Sequence, residues 1–254
     1  MSIGQPERAT QNRMIAQMCG DTSGRVGGLG WRYLGDWQYR KGNANIEPDL
    51  LRPWLIARGY DADVVTKAIA ELQRAARMEG LKLYEANRAT YDMLRYGVQV
   101  TPGPGEAPVT VRFVDWDNPA ANDMGVAEEV AVTSQSPKAY NKRPDLVLYV
   151  NGIALGVVEL KKSTVDLGEG IRQTLDNQRV EFIRHFFTTV QMTFAGNEVQ
   201  GLRYAAIQTP QNYWLAWKED SDITAPLARD VGQMLTPARF LEIINDFILY
   251  DAGV

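Results

Sequence analysis

Asp145, Glu159, Lys161 and Lys162 are the residues of this chain whose types and spacing point most directly to chemistry. All lie in the stretch RPDLVLYVNGIALGVVELKKS, residues 143–163. DLVLYV and IALGVVEL are nearly continuous apolar runs, which predicts two central strands covered on both faces. Asn151-Gly152 between them is a strong hairpin signal. Asp145 opens the first strand, and Glu159, Lys161 and Lys162 close the second, so the charged ends meet in space away from the turn. Burying charge beside a core is costly unless it is paired or binds a metal. Two carboxylates and an ammonium on one face make a divalent-metal site with a catalytic partner. Carboxylate oxygens suit Mg²⁺, which keeps several waters and takes further oxygens from a substrate phosphate. Such an ion lowers the pKa of a bound water and neutralises charge developing at phosphorus. Lys161 has three available roles: orienting the water, stabilising the phosphate, or acting as base. The last needs a depressed pKa, which burial favours and two adjacent carboxylates oppose. Orientation and electrostatics are the favoured roles.

This arrangement depends on register, because side chains alternate along a strand. A plain two-residue Asn-Gly turn pairs Asp145 with Val158 and leaves Glu159 on the wrong face. A three-residue loop, residues 150–152 with a left-handed Gly152, pairs Asp145 with Val157 and brings Asp145 to the face of Glu159 and Lys161. A bulge at Gly156 shifts the parity as well. The site therefore requires an odd register. Glu-x-Lys by itself is usually a solvated pair on a strand. Joined to a Pro-Asp strand start through a hairpin of buried strands, it carries more weight.

The surrounding elements follow from pattern. Pro6 introduces a helix with Met14, Ile15 and Met18 on one face. SGRVGGLGWRYLGDWQYR reads as loop and short strand. Leu50, Leu51, Trp54 and Leu55 mark a helix ended by Gly59. Asp61 is placed to cap the next, with Val64, Val65, Ala68, Ile69 and Leu72 at helical spacing. Tyr84 to Tyr96 supplies another, stopped at Gly97. After the turn TPGPGEAP come strand-like segments: VTVRFVDW, VAEEVAVT, the two strands above, TVQMTFA, LRYAAI and YWLAW. A polar helical stretch over residues 168–185 separates the fourth and fifth. TPARFLEIINDFILY reads as one closing amphipathic helix. The fold class is α/β in a mixed α+β arrangement.

Composition bounds the partners. The 254 residues, 45% hydrophobic and 23% charged, can bury a sizeable core. A single cysteine, Cys19, suits a reducing compartment, and a single histidine, His185, argues against multi-histidine metal sites. No apolar run reaches the ~20 residues of a membrane span. A cytoplasmic protein without membrane contact is expected. The net charge of −4 argues mildly against unaided nucleic-acid binding. Locally, however, residues 138–184 carry eight Lys/Arg against six Asp/Glu. Lys138, Lys142, Arg143, Lys162, Arg172, Arg179 and Arg184 are candidate phosphate contacts or, equally, a solvated surface.

Pro144-Asp145 followed by Glu159-Leu160-Lys161 resembles the Pro-Asp…Glu-x-Lys signature of the restriction-endonuclease-like nucleases. Together with ERATQNR, DWDNPAANDMGVAEEV and FLEIINDFILYD, it is similar to the N-terminal region of the restriction (R) subunit of type I restriction–modification enzymes. The resemblance implies a mixed central sheet flanked by helices, with a helical N-terminal extension. It also implies an Mg²⁺-dependent endonuclease acting on double-stranded DNA, with Asp145, Glu159 and Lys161 as the catalytic residues. In that family an ATP-driven motor follows in the same subunit, and methyltransferase and specificity subunits complete the complex. This chain has no GxxxxGK[ST] phosphate loop, so ATP enters only through that motor. The implied parts are a mostly helical 1–97, an endonuclease core 98–235 and a helix 236–254 leading to a motor.

Nucleases of this branch often carry a Gln, with a Tyr about a turn later, on the helix after the Glu-x-Lys strand. Gln173 stands there, with Gln178 rather than Tyr following. Both are candidate supporting or DNA-backbone residues, as are Lys162 and Arg172. Glu128, preferred over Glu129 in VAEEV, is a candidate third metal ligand. His185 and Cys19 read as packing residues. Two other readings stay open: a free-standing repair or junction-resolving nuclease of the same fold, and a non-catalytic docking module of the restriction complex.

Overall fold

The computed structural model describes residues 5–250 except 21–26, 79 and 136–139, with the side chains of residues 5 and 6 also left aside. Lys138 therefore lies outside the described residues. The N-terminal part holds α1 (Gln5–Cys19), β1 (Arg32–Asp36), α2 (Pro48–Ala57), α3 (Ala62–Ala75) and α4 (Leu83–Tyr96). A ribbon of β2 (Val98–Val100) and β3 (Val109–Val111) follows. Then come β4 (Met124–Glu128), β5 (Leu146–Val150), β6 (Ile153–Leu160), α5 (Leu167–Asn177), β7 (Met192–Asn197), β8 (Gly201–Ala205) and β9 (Leu215–Ala216). The chain closes with α6 (Pro226–Met234) and α7 (Pro237–Glu242).

Seven strands form one mixed sheet in the order β1-β4-β5-β6-β7-β8-β9. β4, β5 and β6 make an antiparallel meander, and α5 carries the chain across to β7, which runs parallel to β6. β1 lies parallel to β4, so the sheet draws on both sides of the expected division at residue 97. Helices cover the sheet, as the sequence resemblance implies.

β5 and β6 are buried along their whole length, which is why their sequences read as continuous apolar runs. Leu146, Leu148, Val158 and Leu160 face the larger core with Met14, Met18, Leu51 and Phe240. Val147, Tyr149, Ala154 and Val157 face a second cluster with Ile183, Phe186 and Phe187. Helix starts obey local chemistry. Asp61 caps α3 by accepting from the Asp63 N–H at 2.8 Å, and prolines occupy the first turns of α2, α6 and α7.

Two helical expectations are corrected. α5 ends at Asn177, after which turns and a 3₁₀ segment at Arg184–Thr188 carry the chain to residue 188. The closing helix is also shorter than 236–250. Beyond α7 the chain widens into a π turn at Ile243–Phe247 and then leaves the helix. Donors from α4 take over its carbonyls: the Tyr91 hydroxyl donates to Ile244 (3.0 Å) and Ile248 (3.2 Å), and Arg95 to Asn245 (2.6 Å). Phe247, one of the apolar residues of that stretch, is exposed. Tertiary hydrogen bonds have outweighed the local helical pattern.

The hairpin turn gives a direct test of packing. Gly152 sits at φ +83°, and a Cβ there would lie 2.7 Å from the Leu50 Cβ and 2.9 Å from the Glu47 carbonyl oxygen. Gly42, at φ +76°, has open space around it. Gly152→Ala is expected to lose about 2 kcal/mol or more in urea unfolding, and Gly42→Ala about 1 kcal/mol. Equal losses would contradict the tight approach of the hairpin to α2.

Candidate active site

The hairpin reaches the required odd register by a bulge and not by a three-residue loop. Its turn has two residues, Asn151 (φ 53°) and Gly152, with Val150 paired to Ile153, so the three-residue loop is not formed. Beyond Tyr149–Ala154 the register shifts, and Leu148 pairs with Gly156. Leu155 is the extra residue, one position before the Gly156 bulge named from sequence. Leu146 then pairs with Val158, which sets Asp145 opposite Glu159. The bulge exchanges the faces of everything beyond it. Without it Glu159 would point into the larger core.

The two carboxyl groups are close enough to interact through a hydrogen bond. Asp145 Oδ2 also accepts from the Leu160 N–H at 2.6 Å, which locks the acid to the opposing strand. Glu159 is fully buried, and two amides from α5 hold it: Gln173 Nε2 donates to Oε2 at 2.6 Å and Asn177 Nδ2 to Oε1 at 3.0 Å. Lys161 Nζ lies 3.2 Å from Glu7 Oε1 of α1. Asp145, Lys161 and Gln173 line a cleft of about 630 Å³, with Glu7, Arg8 and Gln11 along its α1 side.

Electrostatics separate the three roles. Burial pushes the Asp145 carboxyl up to about 6, against the Leu160 N–H and the charge of Lys161, which favour ionisation. Glu159 is raised well above the ordinary carboxylate range, first by burial and then by Asp145 beside it. Burial works against the Lys161 ammonium too, but Asp145, Glu159 and Glu7 outweigh it and raise its pKa. The shift runs opposite to the depressed pKa that a general base needs, the direction the neighbouring carboxylates implied.

Among the described residues no group of three or more Asp, Glu, His or Cys side chains is arranged to hold a metal ion. The donor chemistry of Asp145 and Glu159 nevertheless fits an ion of the Mg²⁺ type, which binds through one or two carboxylates and completes its shell with water and substrate phosphate.

The other candidates fall unevenly around this centre. Glu128 pairs with Leu146, one position out of phase with Asp145, and its carboxylate is held by Arg8 (2.7 Å), Gln11 (2.7 Å) and the Tyr33 hydroxyl. Glu129, at φ 52°, lines the cleft with Asp145 instead and pairs with Arg143 at 2.7 Å. Gln178 is buried, its amide bonding the Thr174 carbonyl and the Gln208 N–H, so it braces α5 against the segment after β8. Arg172 is exposed and touches Gln211 at 3.4 Å; Lys162 follows the site, its carbonyl accepting from the Val165 N–H at 2.9 Å and its side chain without a hydrogen bond among the described residues. Arg179 pairs with Asp176 and Glu181. Lys142 and Arg143 line the cleft, whereas Arg184 lines a different cavity. Burial holds His185 below its ordinary value, and burial pushes the Cys19 thiol up to about 11, as suits an unreactive packing residue.

Asn177 and Glu7 were missed from sequence. Asn177 stands one turn after Gln173, so helical spacing could have paired the two amides on one face. Glu7 is 154 positions from Lys161, and nothing in the local pattern links them.

Residues 25–212 match the family described as type I restriction enzyme R protein N terminus. The chain belongs to that family. A relative in Methanocaldococcus jannaschii, named putative type I restriction enzyme MjaVIIP endonuclease subunit, is 28% identical over 167 residues. The match covers 63% of this chain and 15% of that protein's length.

The raised carboxyl of Asp145 has a definite consequence for the metal-free protein. Its pKa lies at about 6 folded against an ordinary 3.8, so the folded state holds more protons between these values. The resulting stabilisation is complete below the unfolded value and is lost as pH rises through about 6. Asp145→Asn is expected to flatten the fall in urea midpoint between about pH 4 and 7. A fall as steep as in the parent chain would contradict this assignment.

Proposed function

We propose that this chain is the Mg²⁺-dependent endonuclease domain of a type I restriction enzyme R subunit. In this reading it hydrolyses phosphodiester bonds of unmethylated foreign double-stranded DNA within an ATP-dependent complex. The observation that carries it is the Leu155 bulge, which sets Asp145 against Glu159 beside the Lys161 ammonium. A solvated strand-end pair would need neither full burial of Glu159 nor two amides to hold it.

Asp145 and Glu159 would hold the ion through carboxylate oxygens. When bound, Mg²⁺ supplies Lewis-acid charge and a water of lowered pKa. Gln173 and Asn177 fix the Glu159 carboxylate while leaving lone pairs on both oxygens. Lys161, kept cationic, orients the water and attracts a non-bridging phosphate oxygen. Glu7 holds that ammonium on the α1 side of the cleft until a phosphate competes for it. Lys142 at the cleft rim would take a backbone phosphate, and Arg143 would do so only where the phosphate displaces Glu129.

The same proposal assigns the partners. DNA specificity and methylation status belong to specificity and methyltransferase subunits, and ATP acts through a motor of the same subunit. A cytoplasmic setting fits a chain in which, among the described residues, no helix is long and apolar enough to cross a membrane.

In the assembled enzyme, Lys161→Ala is expected to leave translocation intact and lower DNA cleavage by about a hundredfold or more. Undiminished cleavage would overturn the nuclease reading and leave a docking role. Loss of translocation as well would show that Lys161 acts on assembly.

A further inference from the structure

A second cavity, of about 500 Å³, opens beyond the catalytic cleft. Its wall carries Arg77 just after α3, Arg184 and His185 in the 3₁₀ segment before β7, and the apolar Phe182, Val180 and Met78. Among the described residues no acidic side chain lines it. The nearby Glu181 is exposed and lies 3.4 Å from Arg179, and the charge of Arg184 reaches it too without forming an ion pair. Arg8, Arg40, Arg143 and Arg179 are all neutralised by carboxylates, whereas the Arg77 and Arg184 guanidiniums form no ion pair among the described residues.

The two cavities are joined by one cation. Lys142 lines the catalytic cleft, and its Nζ lies 4.1 Å from the centre of the Phe182 ring, which lines the second cavity. The Tyr140 ring packs against the other reach of Phe182, with centres 6.1 Å apart, and is itself exposed. Lys142 thus stands between the catalytic cleft, where Lys161 is matched by Glu7 and Asp145, and a cavity wall on which Arg184 and Arg77 alternate with apolar and aromatic surface. That alternation suits a sugar-phosphate chain: guanidiniums grip phosphate oxygens bidentately, and apolar surface takes the deoxyribose.

We propose that this cavity is a second DNA subsite, which takes the phosphodiester backbone flanking the cut position through Arg77 and Arg184. It rests on the nuclease reading above, and it extends the DNA-binding surface across Lys142 to a face that includes the residues after α3. Only residues 138–184 read as locally basic in the sequence, so Arg77 joins the surface through the fold alone.

The test is fluorescence anisotropy of the 254-residue chain on a labelled duplex, with Ca²⁺ in place of Mg²⁺, across a series of salt concentrations. Each phosphate contact contributes a slope of about −0.9 to log K against log salt. The double variant Arg77→Ala/Arg184→Ala should bind at least about tenfold more weakly, with a slope shallower by about 1.8. Arg77→Lys/Arg184→Lys keeps both charges and should retain most of the slope, which separates lost contacts from lost folding. Parental affinity and slope in the alanine variant would overturn the subsite while leaving the nuclease reading intact. No duplex binding by the parent chain would overturn both.

Discussion

Two carboxyl groups face each other, Glu159 fully buried and Asp145 half-buried at the cleft wall, and the fold is arranged around tolerating that. Asp145 and Glu159 would repel strongly if both were ionised there, so burial drives both pKa values upward. The Leu160 N–H, the Gln173 and Asn177 amides and the Lys161 ammonium each relieve part of the cost. None of them removes it, and a doubly charged cation between the acids would.

The positioning is done by backbone and not by flexible side chains. β5 and β6 are buried on both faces, flanked by β4 and β7, so the bulge at Leu155 cannot slip without exposing a core strand. The two faces of the hairpin belong to different hydrophobic clusters, and the change of phase at the bulge hands Val157 to one and Val158 to the other. The same change turns Glu159 toward Asp145. α5, packed on β6 and β7, brings the two amides, and α1 closes the cleft from the side with Glu7, Arg8 and Gln11.

Much of this was legible before the structure. The apolar runs named the central strands, Asn151-Gly152 named the turn, Asp61 the helix cap, and parity alone showed that a plain hairpin would fail. The bulge could be required from sequence but only approximately located, since Leu155 looks like any other strand residue. Of Glu128 and Glu129 only one was expected to face the site, with Glu128 preferred; Glu129 takes a positive φ where β4 ends and lines the cleft. The closing helix failed for a tertiary reason, because Tyr91 and Arg95 are distant in sequence from the carbonyls they bind. Glu7 and Arg77 were invisible for the same reason: side chains from remote segments leave no local periodicity when they converge.

The central claim is that Asp145 and Glu159 together form one cation site. Mn²⁺ binding to the 254-residue chain, followed by the loss of the free-ion electron paramagnetic resonance signal at neutral pH, tests it directly. The account requires saturable uptake that weakens by about 10- to 100-fold or more in either Asp145→Asn or Glu159→Gln, with little further loss when the two are combined. Uptake at parental strength in the doubly substituted chain would mean that the buried acids hold no ion, and the proposed chemistry would have no centre.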